Sequence, residues 1–411
     1  MPVLSKRVGV VAGLALAAAA AMVAATPATA DTAARSGDVV GVGSDTAQNA
    51  LDFVLDGAPG VAGGYNNLGN NHRALNVFAT GDANGRAVYD GTCGPTHPAT
   101  TGLGTGCEAT TNLTPNLLPG SVILRVGTKP VTRPNGSGSG AAALIADSGT
   151  GYQGLPTGSI QFARMSRLPN ATEEGNCPTT GACGGLHVYQ FATDTLTFVK
   201  QASGFNGPSA ISIDDAYHIF VLCNYTTWNQ IPGNSGGSTN TIHPLIPQSG
   251  SGTRNFFMAD IQAAEGLASA PSPGACTRTV EEHDPTGIYA DPAPADAIEP
   301  FSSGKLTLIN SGYFDNAGYT NSAGHDAYTT GYLTALTGTG TYNSNRGIYV
   351  AIRNADLGST TPFQIGGTQN FAQTLFAGPT SYIARAANAP QIAAAGFTAA
   401  YKDCGVNPTT C

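Results

Sequence analysis

Charge is scarce in this chain: of 411 residues only 11% are Asp, Glu, Lys or Arg, and the formal net charge is -8. The 18 Lys and Arg form no basic stripe. That excludes a nucleic-acid footprint, because duplex binding rests on clustered cations. Past the first thirty residues there is no apolar run of the ~20 residues that a bilayer-crossing helix needs, so no second membrane-spanning helix is expected. No C-x-x-C pair occurs, which leaves a cysteine-ligated metal without its usual spacing. Tryptophan occurs once, as Trp228 in "TTWNQI", and is assigned to packing that fixes its loop.

What is abundant are small and turn-forming residues, with 54 Gly and 26 Pro. Frequent turns and polar loops follow, the look of an exported protein. The start agrees: Lys6 and Arg7, an apolar stretch over 8–25, then Ala28-Thr29-Ala30 as a cleavage site. A signal peptide over 1–30 is expected, and an Ala-rich run ending in A-x-A fits a membrane anchor less well. No Cys stands at the cleavage point to carry a lipid, so a secreted product is expected. The eight Cys are even in number, as a disulfide framework requires. Connectivity is formally open; proximity in sequence suggests Cys93–Cys107, Cys177–Cys183 and Cys404–Cys411, which leaves Cys223–Cys276.

Periodicity gives alternating strands and helices. A buried strand over 39–42 runs through a Gly-Ser turn into a helix carrying Ala47, Ala50, Leu51 and Val54 on one face, capped by Ser44 or Asp45. A Gly- and Asn-rich insertion over 57–120 has few periodic signals. "SVILRVG" is expected as a strand, "GSGSGAAALIAD" as a loop entering a helix, "LHVYQFATDTLTFVK" as a long strand, and "SAISIDDAYHIF" as a helix capped by Ser212 or Asp214. "KLTLIN" and "RGIYVAIRN" are expected as strands, and the end as broken helix. This pattern favours an α/β fold with mixed, mainly parallel sheets. Crossings near 191–200 and 348–353 make the first domain discontinuous: 36–198 with 346–403 as lobe I, 199–345 as lobe II, and 404–411 as a disulfide-bonded tail.

Three Gly-Ser turns stand between a strand and a helix: "GSDT" (43–46), "NGSGSG" (135–140) and "SGSGT" (249–253). A helix N-terminus offers free N–H groups and about half a positive charge, and glycine lets an oxyanion approach the backbone. Ser and Thr add donors without adding charge. One such turn is ordinary capping; three repeat a device for anion capture. Arg164 and Arg167 in "FARMSR" and Arg254 after the third turn can supply a guanidinium, which grips phosphate with paired hydrogen bonds. Each can equally pair with a carboxylate or face solvent. "EEHD" (281–284) is the densest acidic cluster. The cluster, with Glu282 and His283, can line the cleft and accept a ligand proton, or hold a metal through His283; a solvated loop is the plain alternative.

"GSDTAQ", "NGSGSG", "FARMSRLPN", "FATDTLTF", "TTWNQI" and "PQSGSGTRNFF" together resemble the phosphate-binding proteins of ABC transporters, most of all exported actinobacterial members. The resemblance runs from about 40 to 397. It implies a two-lobed periplasmic-binding-protein-like fold of type II with two hinge strands, no enzymatic activity, no cofactor and no metal. It implies one phosphate, or a similar oxyanion, in the interlobe cleft of a monomer that serves an ABC permease. The ligand residues it implies are Ser44, Asp45, Thr46, Ser137 or Ser139, Ser166, Arg167, Ser251, Gly252 and Thr253. Two positions depart from the family pattern. Arg167 stands where an Asp is usual, and Pro247 where an Arg is usual, so Asp45 and Arg167 would supply an exchanged acceptor and donor.

Two other functions compete. "GNSGG" (233–237) has the G-x-S-x-G spacing, but Ile231-Pro232 before it and Gly-Ser-Thr-Asn after it deny the strand–turn–helix context of a nucleophile elbow. A phosphoester hydrolase using Asp45 or His283 in the same cleft is the nearer enzyme reading. A wall-associated protein with a vestigial cleft is the third, prompted by the insertion.

Overall fold

The structure, a computed structural model, describes residues 34–35, 37–68, 73–79, 121–316, 327–358 and 370–411. The expected signal peptide, the Cys93–Cys107 pair and most of the 57–120 insertion lie outside the described residues.

Among the described residues there are twelve strands: β1 (Val39–Gly43), β2 (Ala74–Asn76), β3 (Ser121–Val122), β4 (Val131–Thr132), β5 (Phe162–Met165), β6 (Leu186–Gln201), β7 (His243–Pro247), β8 (Arg278–Val280), β9 (Ala297–Ser302), β10 (Leu333–Ala335), β11 (Asn343–Arg353) and β12 (Thr398–Val406). The helices that build the site are α1 (Asp45–Asp56), α2 (Ser137–Asp147), α3 (Ala171–Asn176), α4 (Ile213–Phe220), α5 (Gly252–Glu265), α6 (Thr286–Tyr289) and α7 (Ser303–Asn310).

Ten strands form one mixed sheet in the order β2-β1-β5-β11-β6-β9-β7-β8, with β10 and β12 also paired to β6. Its two ends are parallel: β1 pairs with β2 and β5, and β7 with β8 and β9. The middle is antiparallel, where the long strands β6 and β11 run beside each other from Asn343↔Thr197 to Arg353↔Leu186. At the end of that ladder β6 also pairs with β9, through Leu196–Val199. These two strands are the hinge crossings, and they join two α/β lobes.

The parallel strand β1 is apolar throughout because it is covered on both sides. Val40 and Val42 pack with Ala143 and Leu144 of α2, while Val39 joins Leu51 and Val54 of α1 in a separate cluster. The helix face set out from the sequence is buried: Ala47, Ala50 and Leu51 are fully covered. The other lobe has its own core around Phe198, Phe220 and Phe257, whose rings meet stacked or edge-on. Trp228 is fully buried in it and donates its indole N–H to Asp296 at 2.8 Å.

Three expectations need correction. "KLTLIN" is helical, in α7, because the Ser302 side chain accepts the Lys305 N–H and turns the chain out of β9. "SVILRVG" keeps only Ser121–Val122 as a strand. The chain end holds β12, which adds to β6 rather than continuing as helix. The disulfides Cys177–Cys183, Cys223–Cys276 and Cys404–Cys411 are all formed. Such bonds persist in oxidising compartments. Among the described residues no helix is long and apolar enough to cross a membrane.

Candidate functional site

The first Gly-Ser turn ends β1 and opens α1. Ser44 is the N-cap, its hydroxyl accepting the Ala47 N–H at 3.4 Å and its own N–H donating to the Arg164 carbonyl. Arg164 lies fully buried behind this turn. Its guanidinium donates to the carbonyls of Gly43, Ser44 and Val77 and to the Asn76 side chain. It therefore braces the turn from the rear.

The second turn enters α2 through Gly136, whose φ of 86° lies in the region glycine favours. The Ser137 hydroxyl accepts the Ser166 N–H at 3.0 Å and lies 3.3 Å from the Ser166 hydroxyl. Ser139 lies on the same helix turn, beside Gly250. Arg167 is directed elsewhere: it forms a two-pronged pair with Glu173 at 2.7 and 2.6 Å and donates to the Leu168 carbonyl.

The third turn belongs to the other lobe. Ser251 caps α5 by accepting the Arg254 N–H at 3.1 Å, and the Arg254 guanidinium folds back onto the Pro247 carbonyl. Gly252 lies against the first lobe so closely that a Cβ there would overlap the Ser137 and Ser166 hydroxyls. Gly138 N–H also donates to the Gly250 carbonyl at 3.0 Å. All three turns thus meet at one place.

Beside them lies a buried hydrogen-bond network. The Thr46 hydroxyl is 3.3 Å from that of Thr253, 2.9 Å from His283 Nε2 and 3.1 Å from Glu282 Oε1. Thr253 is 3.0 Å from His283 Nε2, and its backbone N–H donates to Glu282 Oε1 at 3.1 Å. His283 Nδ1 accepts the Ser302 N–H at 3.2 Å. That fixes the tautomer, because a backbone N–H can only donate: the proton is on Nε2, and the imidazole offers a donor to the two hydroxyls. Burial first, then the charges of Arg346 and Lys305, hold its pKa well below the ordinary value, so it is neutral. Its backbone, at φ 57°, is left-handed.

The cations come from places with no motif. Arg346 of β11 donates to the Thr253 hydroxyl at 2.8 Å and through two nitrogens to Asp194 of β6 at 3.0 and 2.8 Å; both side chains are fully buried. Asp194 is anchored by the Ser302 hydroxyl and the Gly304 N–H. Lys305 of α7 crosses to the first lobe, 2.8 Å from Asn49 and 3.3 Å from Asp45. Glu281 accepts from Asn135 and Gln248, and burial followed by neighbouring carboxylates raises its pKa well above the usual range.

Ser44, Asp45, Thr46, Ser137, Ser166, Ser251, Gly252, Thr253, Glu282 and His283 are therefore brought to one interlobe region. Ser139 is at its margin, and Arg164, Arg167 and Arg254 point to other partners. Arg346, Asp194 and Lys305 escaped sequence reasoning. A lone Arg opening a β-branched hinge strand was the one available sign.

The helix N-termini of α1, α2 and α5 thus meet in one buried region between two α/β lobes, with the His283 N–H directed at its hydroxyls. The sequence matches the PBP superfamily domain over residues 124–377, and the chain belongs to that family. No curated protein matches it. Among solved structures it is similar to an ABC-type phosphate transport receptor from Vibrio cholerae, with 12% identity over 88% of this chain and 100% of that one and a TM-score of 0.43. It is also similar to PstS from Borrelia burgdorferi, with 13% identity over 88% and 98% and a TM-score of 0.38. Family membership rests on the sequence match alone.

Proposed function

We propose that this protein is an exported solute-binding protein, processed near Ala30, that captures inorganic phosphate or a similar tetrahedral oxyanion between its lobes for an ABC permease. One observation carries the reading: hydroxyls and helix N-termini from both lobes meet in one buried region, where the Arg346 guanidinium reaches the Thr253 hydroxyl. Ser44, Thr46, Ser137, Ser166, Ser251, Gly252 and Thr253 supply the donors, and Arg346 takes the role the sequence suggested for Arg167. The jaws are residues 36–198 with 346–403 and residues 199–345. Neutral donors suit this task, since they replace the water around an anion without creating unpaired charge when the cleft is empty.

His283 argues against hydrolysis, because its lone pair is held by the Ser302 N–H and only a proton faces the cleft. The experiment is calorimetric titration of protein stripped of ligand with phosphate and sulfate. One-site binding of phosphate with Kd of about 1 μM or tighter, without turnover of phosphoesters, is expected. Thr253→Ala should weaken it about tenfold or more, the effect of losing a hydrogen bond to a charged group. Absence of binding heat with either anion overturns the reading.

A further inference from the structure

Glu282 is 1% exposed, on the loop between β8 and α6, and its backbone N–H is tied to Gln248 Oε1 at 2.8 Å. Its Oε1 takes one donor from each lobe: the Thr253 N–H in the first turn of α5 and the Thr46 hydroxyl, both at 3.1 Å. Its Oε2 is buried with no hydrogen-bond partner among the described residues. Among the described residues the one basic side chain within ion-pair distance of Glu282 is His283, whose Nε2 lies 3.8 Å from Oε1, and that imidazole is neutral. The two full cations of the region are already matched, Arg346 by Asp194 and Lys305 by Asp45. An arriving oxyanion would seek the donors that Glu282 holds and would meet its negative charge at short range in a low-dielectric site.

We propose that Glu282 is a resident competitor for the oxyanion seat, a carboxylate that must withdraw from Thr46 and Thr253 before an anion binds, and that meanwhile bridges the lobes. The proposal rests on the anion-binding reading above for its first part only; the bridge stands on the two hydrogen bonds. Glu282 is thereby an affinity-setting residue. It lowers the occupancy of the cleft at low anion concentration and offers an internal substitute that keeps the donors satisfied.

The test uses the full mature chain, native, Glu282→Ala and Glu282→Gln, with inorganic phosphate and sulfate as probes. Thermal melts identify any variant that fails to fold, and the isosteric Gln variant covers failure of the Ala variant. The expected result is at least about tenfold tighter phosphate binding in Glu282→Ala, a change readily resolved by calorimetry, with a smaller gain in Glu282→Gln, which keeps the acceptor oxygen but not the charge. Weaker or unchanged binding in both variants overturns the competitor. Amide exchange at Thr253, measured without added anion, tests the bridge separately. Faster exchange in Glu282→Ala supports it, and unchanged exchange overturns it. If no anion binds any of the three proteins while exchange rises, the anion reading fails and the bridge survives.

Discussion

The two walls of the crevice follow different electrostatic rules. The wall built from α1, α2 and the end of β5 presents hydroxyls and glycine, and its Asp45 is matched by Lys305 from the other lobe. Its basic residues Arg164 and Arg167 are engaged by backbone carbonyls and by Glu173. The wall built around α5 carries the same helix-entrance device, then adds Glu281, Glu282 and His283. The difference teaches where control resides. On the proposed reading, a wall of neutral donors offers hydrogen bonds to an anion, whereas a wall that also bears carboxylates would set how strongly it binds.

The largest expected effect is at the junction of the walls. Arg346→Ala removes the partner of a fully buried Asp194 and the donor to Thr253 together. Breaking such a pair leaves an uncompensated charge, so a loss of about 3–5 kcal/mol is expected, read by denaturant unfolding, with phosphate binding lost in whatever folds. Arg167→Ala should leave phosphate affinity unchanged within error, because its guanidinium belongs to Glu173. If Arg167→Ala were the variant that abolished binding, the contrast between the walls would be drawn in the wrong place.

The hydroxyl wall was legible in the sequence because helix entrances are local chemistry: Ser44 and Ser251 cap theirs, and Gly136 turns the chain into α2 at Ser137. The charged parts were not. Asp194 and Arg346 are 152 positions apart and meet only through the register of β6 and β11. Lys305 was hidden by "KLTLIN", whose apolar and β-branched residues imitate a strand until the Ser302 cap is taken into account. For Arg167 a local sign did exist. "NATE" places Asn170 and Glu173 at capping-box spacing, and Glu173 both completes that box and draws the guanidinium away.

A smaller effect separates the walls by pH. Burial, then the charges of Arg346 and Lys305, hold the folded pKa of His283 well below the ordinary histidine value of about 6.5. The unfolded chain therefore binds a proton that the folded one refuses. Above about pH 6.5 both states are neutral at this residue and its contribution is complete; as pH falls below that value stability is lost, by up to about 1.4 kcal/mol per unit. Glu281 and Glu299, whose pKa values burial raises, act in the opposite sense, so the comparison must be between proteins. His283→Asn suits it, since Asn tolerates the left-handed backbone at φ 57° and does not titrate. Melting curves of the two proteins should diverge less at acid pH than at neutral pH. Equal separation at all pH values would mean the imidazole is not held neutral.

The smallest effect compares the two caps directly. Ser251 accepts the Arg254 N–H at 3.1 Å, whereas Ser44 accepts the Ala47 N–H at 3.4 Å, near the limit of a useful bond. Removing an N-cap hydroxyl costs on the order of 1 kcal/mol, and the shorter bond should account for more of it. Ser251→Ala is therefore expected to destabilise by about 1 kcal/mol and Ser44→Ala by about half that, in denaturant titrations with matched slopes. A weak cap leaves the Ser44 hydroxyl freer to turn toward an anion, so phosphate should recover more stability in the native protein than in Ser44→Ala. Should Ser44→Ala prove the costlier change in anion-free buffer, its hydroxyl is held for the fold, and the first wall is less open to a ligand than its chemistry suggests.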